Sequence, residues 1–199
     1  PLVRIIQPEV KDMWAYPESG FHNLLVVSVD ERYPKNGIKA MLALWGIGQL
    51  LLTKCMIMVS SDINPRDFSA VLNEIGENFD PREDFLLIPW APVDTLDFTS
   101  RKLNVGSKMG INAVRRADGL ERKRKIPEKV PDPRERLSEV IDFRLLPGGF
   151  LVLKVEKNPK DNIRRLFDIP GYEDVRIVVA LSPDIDLKDD TELIWGIFT

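Results

Sequence analysis

The sequence predicts an α/β fold: a mainly parallel sheet with helices on both faces, three layers deep, extended by a second repeated βα unit at the C-terminus. Three observations predict it. Short β-branched runs of strand length alternate with longer segments of helical spacing, and that alternation implies right-handed crossovers between parallel strands. The 199 residues are 44% apolar and 30% charged, enough to bury a core without disulfide or metal staples. Finally, the pattern of the first strands and turns recurs near the C-terminus.

Taken in order, Leu24 to Val29 is a buried strand and Tyr33-Pro34-Lys35-Asn36-Gly37 a turn. Ile38 to Thr53 is apolar on nearly every side, which predicts a helix buried on more than one face. Met56 to Val59 is a strand. Ser61 to Pro65 is a turn with capping residues, and Arg66 to Asn78 has helical spacing through Phe68, Val71, Leu72 and Ile75. Phe85 to Ile88 is a short strand. Pro89 to Pro133 reads as a long ordered excursion over the sheet, and Arg134 to Phe143 as a short amphipathic helix.

Phe150 to Val155 and Val175 to Leu181 are strands again. Ser182-Pro183-Asp184-Ile185-Asp186 matches Ser60-Ser61-Asp62-Ile63-Asn64 in the placing of its Asp and Ile. The copies are offset by 126 residues at Val29/Val155 and by 122 at Asp62/Asp184. This reads as a duplication of one βαβα unit. The expected division is 1–145, with a long ordered loop over 89–133, and 146–199 as a second, truncated repeat. A start at Pro1 and an end inside a helix read as a fragment of a larger protein.

Scarce residues exclude whole classes of chemistry. One cysteine, Cys55, rules out an intrachain disulfide and a thiolate metal cluster. One histidine, His22, rules out a multi-histidine zinc site and leaves a single chance for a Ser-His-Asp arrangement. A lone reduced thiol fits the cytoplasm. A net charge of −3 argues against a nucleic-acid module. The longest apolar run, Ala40 to Leu52, is too short to span a bilayer. Neither Gly-x-Gly-x-x-Gly nor a phosphate-loop signature occurs, which weighs against a stand-alone nucleotide-binding domain.

Gly106-Ser107-Lys108-Met109-Gly110 is the leading chemical candidate. Its glycines allow close backbone approach to a ligand, Lys108 offers a point charge beside the Ser107 donor, and a following helix would add N-terminal amides. The plainer alternative is a glycine turn with a solvated lysine. Asp62, Asn64 and Asp67, like Asp184, Asp186 and Asp189, read as helix caps rather than a cation site. Asp94 and Asp97 are spaced for acid–base work or for two Asx turns. His22 reads as a strand-end residue, Cys55 as inert packing, and Trp45 as core. Trp90 is placed to line an aromatic pocket. The run Glu121-Arg122-Lys123-Arg124-Lys125 reads as a solvated loop.

Seven motifs in order over Gly20 to Ala113 resemble the C-terminal domain of the UbiD-type decarboxylases. They are Phe21-His22-Asn23 with the strand after it, Ala43-Leu44-Trp45-Gly46-Ile47-Gly48-Gln49, Thr53-Lys54, Asp62-Ile63-Asn64-Pro65-Arg66-Asp67, Asp80-Pro81-Arg82-Glu83-Asp84, Pro92-Val93-Asp94-Thr95-Leu96-Asp97, and Gly106 to Ala113. The tail from Phe150 resembles the longer menaquinone-biosynthesis members. Asn112 stands where the family often has Asp.

The resemblance implies a parent carboxy-lyase that non-oxidatively decarboxylates an aromatic acid of the 3-polyprenyl-4-hydroxybenzoate or naphthoate kind. Its cofactors would be prenylated FMN and a divalent metal, Mn2+. The family's catalytic Glu-Arg-Glu/Asp set has no counterpart here, so no catalytic or metal residue carries over. The chain itself is expected to bind no cofactor and to be inactive. Lys108 and Ser107 would lie toward the cofactor, and Trp90, Asp94 and Asp97 on the substrate-side loop. A cytoplasmic homo-oligomer, dimer or hexamer, is implied, with peripheral membrane contact open to it. The alternative is an oligomerisation and binding module that never touches the active site.

Overall fold

A computed structural model describes residues 2–97, 99–100, 102–117 and 124–199. The chain opens with α1 (Leu2–Ile6), β1 (Val10–Ala15), a 3-10 turn at Pro17–Ser19 and β2 (Leu24–Val29). Next come α2 (Asn36–Leu44), a 3-10 segment at Gly48–Leu52, β3 (Cys55–Ser60) and α3 (Phe68–Asn78). A hairpin of β4 (Phe85–Pro92) and β5 (Val105–Asn112) completes a sheet ordered β1-β2-β3-β5-β4. After a 3-10 turn at Pro133–Glu135 come β6 (Val140–Leu146), a 3-10 turn at Pro147–Gly149, β7 (Phe150–Val155), α4 (Pro159–Leu166), β8 (Ile177–Leu181) and α5 (Asp190–Phe198). The second sheet is ordered β6-β7-β8. No helix among the described residues is long and apolar enough to cross a membrane.

The α/β class holds, but the sheets are mixed rather than mainly parallel. β2–β3, β3–β5 and β7–β8 are parallel, while β1–β2, β4–β5 and β6–β7 are antiparallel. The antiparallel strands are the ones whose pattern is broken. Bulges interrupt β1 between Val10 and Asp12, β6 between Val140 and Asp142, and β4 between Ile88 and Ala91, so apolar alternation slips by a residue. The segment expected to be a helix over Arg134 to Phe143 is the end of a 3-10 turn, further turns and the first four residues of β6, and a division between 145 and 146 would fall inside that strand. The expected loop 89–133 contains the rest of β4 and all of β5. Pro89 and Pro92 are tolerated because β4 is an edge strand. The helix expected over Ile38 to Thr53 stops at Leu44 and, past Gly46, resumes as a 3-10 segment that begins at Gly48.

Strand side chains alternate between faces, and the three cores follow that alternation. Leu25, Val27, Met56 and Met58 pack under α2 with Ala40, Met41 and Leu44. Leu24, Val26, Ile57 and Val59 point the other way, into a core with Val71, Leu72 and Ile75 of α3. That core also takes Phe150 and Val152 of β7 and Leu193, Ile194 and Phe198 of α5. The opposite face of β7, Leu151, Leu153 and Val155, packs with Leu166 of α4. The layering is therefore five deep rather than three: α2, the first sheet, α3 with α5, the second sheet, and α4.

The same local devices recur in both halves. Asp12 and Asp142 each accept the next residue's N–H, at 2.8 and 2.9 Å. Lys35 and Asn158 sit in left-handed conformations before α2 and α4. Asn64 and Asp186 form the same turn, accepting from the N–H of Arg66 and Lys188. Asp67 and Asp189 cap α3 and α5. Each half's last helix docks on the other half's 3-10 turn, α3 on Pro147–Gly149 and α5 on Pro17–Ser19.

Gly148 makes the first of these contacts possible. Its φ is +71°, and a Cβ there would stand 1.8 Å from the Leu72 carbonyl oxygen. Gly148→Ala combines a left-handed backbone with a backbone clash, and is expected to lower stability by about 3 kcal/mol or more. Urea unfolding of the variant checks it.

Candidate functional site

Ligands of open α/β sheets usually sit at the carboxyl ends of the parallel strands. In this chain those ends are closed by their own polar contacts. Arg115 binds the Ser60 hydroxyl and the carboxylates of Asp62 and Glu74, and Lys35 binds Asp84. The open ground lies at the amino ends, where His22-Asn23 leads into β2 and Thr53-Lys54 into β3. The β4–β5 hairpin bends over these ends.

Two ion pairs fasten the hairpin's connecting loop. Asp94 pairs with His22 through Nδ1 and accepts the Leu96 N–H at 2.8 Å. Asp97, whose side chain is 1% exposed, pairs with Lys54 at 3.2 Å. It also accepts the Thr99 N–H at 3.1 Å and the hydroxyls of Thr99 and Ser100 at 2.6 and 2.8 Å. Burial pushes the Asp97 carboxyl up, but these hydrogen bonds outweigh it and hold the group below the usual carboxylate range. The Leu96 amide and then His22 do the same for Asp94. Lys54 completes the knot by donating to the Thr99 hydroxyl at 2.7 Å and the Thr199 carbonyl at 3.3 Å.

A cavity of about 420 Å³ opens beside this knot, lined by Lys54, Trp90, Asp97, Ser100, Lys102 and Ser107 among others. Its size suits a small organic ligand. Trp90 sits at the β4 bulge with φ +55° and is 79% exposed. A second cavity of about 290 Å³ shares Asp97 and Thr99 with the first and is lined by His22, Asp94, Leu96 and Trp195.

Of the residues singled out in the sequence, the structure brings Ser107, Trp90 and Asp97 to the first cavity and Asp94 to the second. Lys108 is set apart from these. It lies on β5, not in a glycine turn, so its side chain points to the opposite face from Ser107. It is 2% exposed, and its ammonium donates to the carbonyls of Leu51 and Thr53, the latter at 2.9 Å. A ligand-facing role does not follow from that position. The glycines of the motif serve packing: a Cβ on Gly106 would meet the Ser100 hydroxyl, and one on Gly110 would meet Met41 and Trp45. Among the described residues, none of 113–117 after the motif is helical.

Asp67 and Asp189 cap their helices and Asn64 and Asp186 hold turns, whereas Asp62 pairs with Arg115 and Asp184 accepts from the Ser182 hydroxyl; no cluster of three or more His, Cys, Asp or Glu fit for a metal occurs among the described residues. Cys55 is buried and its thiol is pushed up to about 12 by desolvation. Trp45 is buried, with its indole N–H on the Thr53 carbonyl at 3.1 Å. Residues 121–123 of the basic run lie outside the described residues. Arg124 binds the Phe79 carbonyl and Asp80, and Lys125 pairs with Asp174. Sequence reasoning missed Lys54, Thr99, Ser100 and Lys102 as lining residues. They are brought together by the hairpin, and no spacing rule connects them.

A family model described as the 3-octaprenyl-4-hydroxybenzoate carboxy-lyase C-terminal domain matches residues 1–113. An uncharacterized protein of Archaeoglobus fulgidus is 39% identical over 124 residues, covering 61% of this chain and 26% of that protein. One from Aeropyrum pernix is 39% identical over 134 residues, covering 67% and 28%. The chain thus spans about a quarter of the length of these relatives.

Among solved structures, the chain is similar to the closed form of Sedimentibacter hydroxybenzoicus vanillic acid decarboxylase, with TM-score 0.56, 21% identity, and 69% of this chain and 29% of that one covered. At this identity the likeness is one of fold. It is also similar to the UbiD-class enzyme HmfF from Pelotomaculum thermopropionicum in complex with FMN, with TM-score 0.53, 25% identity, and 63% and 28% covered.

Two predictions follow from the geometry. Asp97→Ala strands the Lys54 ammonium and three donors, and is expected to cost about 2–4 kcal/mol, read as a lowered urea midpoint. Burial depresses Lys108 from 10.5 to about 8. At Lys108 the unfolded chain therefore holds more protons than the native one between these values, so the contribution of this residue to native stability should rise with pH from about 8 to 10.5, by about 3 kcal/mol, while the raised Cys55 thiol acts in the opposite direction above about pH 9. Below pH 8 the cost of the buried ammonium is fully present. Urea titrations across this range should show the wild-type chain gaining stability relative to Lys108→Met, which lacks this contribution.

Proposed function

The chain belongs to the 3-octaprenyl-4-hydroxybenzoate carboxy-lyase C-terminal domain family, and from that membership we propose that it is the C-terminal part of a cytoplasmic carboxy-lyase acting on an aromatic acid with prenylated FMN. In this reading the residues described here do not carry the reaction. They wall one side of the site and hold the assembly together. The observation that carries the reading is the cavity between Trp90, Ser107 and the Lys54–Asp97 pair. It combines an exposed indole, hydroxyl donors and ammonium groups in about 420 Å³, which is chemistry suited to an aromatic carboxylate.

The donor set also limits the reading. With no metal-fit cluster among the described residues, a phosphate-bound Mn2+ would be held by parts of the enzyme outside them. The flavin, when bound, supplies the electron sink for loss of carbon dioxide. The residues of this chain would exclude water, orient the acid by its ring and carboxylate, and keep the β4–β5 hairpin fixed through Asp94 and Asp97. We further propose that the two halves descend from one duplicated unit. Residues 146–199 hold no stretch like Gly106-Ser107-Lys108-Met109-Gly110, and we assign them to assembly rather than to cofactor contact.

The experiment has two arms. The purified chain, given prenylated FMN and aromatic acids, is expected to release no carbon dioxide; turnover would overturn the assignment of the reacting groups to other residues. In the complete enzyme, Trp90→Ala is expected to raise KM for the acid about tenfold, the loss of one aromatic contact. Unchanged kinetics would favour the other reading, an assembly module without active-site contact.

A further inference from the structure

Most polar groups lining the first cavity are already spent. Lys54 gives its ammonium to Asp97 at 3.2 Å and to the Thr99 hydroxyl at 2.7 Å. Thr99 and Ser100 each give their one hydroxyl proton to the same carboxylate. The charges of Lys54 and Asp97 cancel, and drawing Lys54 toward a ligand would strand a carboxylate that is 1% exposed. Three lining groups remain unspent. Lys102, Ser107 and Trp90 are all exposed, and none of their side chains has a hydrogen bond or ion pair among the described residues.

Fixed backbone carries Lys102. It opens a tight turn in which its carbonyl accepts the Val105 N–H at 3.1 Å and Asn104 is left-handed at φ +61°. The Asn104 carbonyl accepts the Val93 N–H at 3.2 Å, which ties the turn to the end of β4. Trp90 lies just before the rungs where Ala91 pairs with Gly106 and Pro92 with Val105. The turn and the indole are thus held on paired strands around one opening. The unspent groups are also of one kind, since an ammonium, a hydroxyl and an indole N–H all donate. Among the three, Lys102 alone carries charge.

We propose that Lys102, not Lys54, is the residue through which this cavity selects an oxyanion over its neutral analogue. The preferred ligand is a flat ring compound bearing a carboxylate or a phosphate. The oxyanion takes the Lys102 ammonium, the ring takes the face of the Trp90 indole, and the Ser107 hydroxyl donates to a further acceptor. An aromatic acid would supply a carboxylate and a flavin a phosphate. The inference rests on the reading of this cavity as a ligand site, and goes beyond it by assigning the charge that sets its preference. Lys54 and Asp97 keep the hairpin loop in place, and Lys102 reads the ligand.

Calorimetry on the complete enzyme without its flavin tests this. 2-Naphthoate is expected to bind more tightly than neutral 2-naphthamide. Lys102→Met should weaken the naphthoate about tenfold, the loss of one charged hydrogen bond, and leave the amide unchanged, while Lys102→Arg retains the preference. If phosphate is the oxyanion, Lys102→Met instead weakens FMN about tenfold and leaves both naphthyl probes alone, which supports Lys102 and names the flavin as the source. Lys102 is exposed and unpaired, so its variants should melt like the wild type. Unchanged naphthoate and FMN affinities in Lys102→Met overturn the assignment, as does equal weakening of acid and amide, which is a packing effect. Trp90→Ala then separates the two readings. If it still weakens the naphthoate, the cavity remains a ligand site and only the role of Lys102 falls; if it changes nothing, or no probe binds, both readings fall.

Discussion

Two helices packed between the sheets hold this molecule together. α3 and α5 lie between the two sheets, and their side chains share one core with strands from both halves. A helix in that position must be apolar over more than one stripe and must approach backbone closely on at least one side. The approach is closest where α3 crosses Pro147–Gly149, and it requires a residue without a Cβ at Gly148. The reciprocal contact, α5 on Pro17–Ser19, brings the C-terminal end of α5 to the second cavity, where Trp195 and Thr199 stand beside His22 and Asp97. The packing of the core thereby sets the position of the site.

The site itself depends on a buried carboxylate. Asp97 accepts from one amide, two hydroxyls and one ammonium, which is near the full acceptor capacity of the group. A carboxylate so satisfied is an anchor rather than a proton donor or acceptor. It fixes the loop between β4 and β5 and leaves Trp90, Ser107 and Lys102 free to face a ligand. The usual ligand-binding end of a parallel sheet is occupied by the Arg115 and Lys35 networks, so the amino ends are the ones left open.

Much of the fold was legible because it rests on short-range rules. β2, β3 and β7 are continuous β-branched runs buried on both faces, α3 has clean helical spacing, and the Asp67 and Asp189 caps stand where acceptors meet the orphan amides of a helix start. The misread elements have physical causes. Bulges after Val10 and Val140 shift the alternation of β1 and β6, and the prolines of β4 resemble loop composition although its open edge tolerates them. The orientation of Lys108 is hidden in the sequence because strand parity, which turns it away from Ser107, is invisible until β5 is known to be a strand. Lys54 meets Asp97 across 43 residues, and that meeting depends on topology rather than spacing.

The exchange of terminal helices between the halves also bears on how the chain reaches its native state. The apolar face of the first sheet that holds Leu24, Val26 and Ile57 is covered in part by α3 and completed only by residues of the second half, such as Phe150 and Leu193. Such long loop closures are slow, because entropy is lost before the contacts that reward it form. During synthesis the first half would therefore emerge from the ribosome with one side of its sheet only partly covered. It would stay a client for chaperones until α5 has been made, and the two halves would gain their protection against hydrogen exchange together rather than in turn.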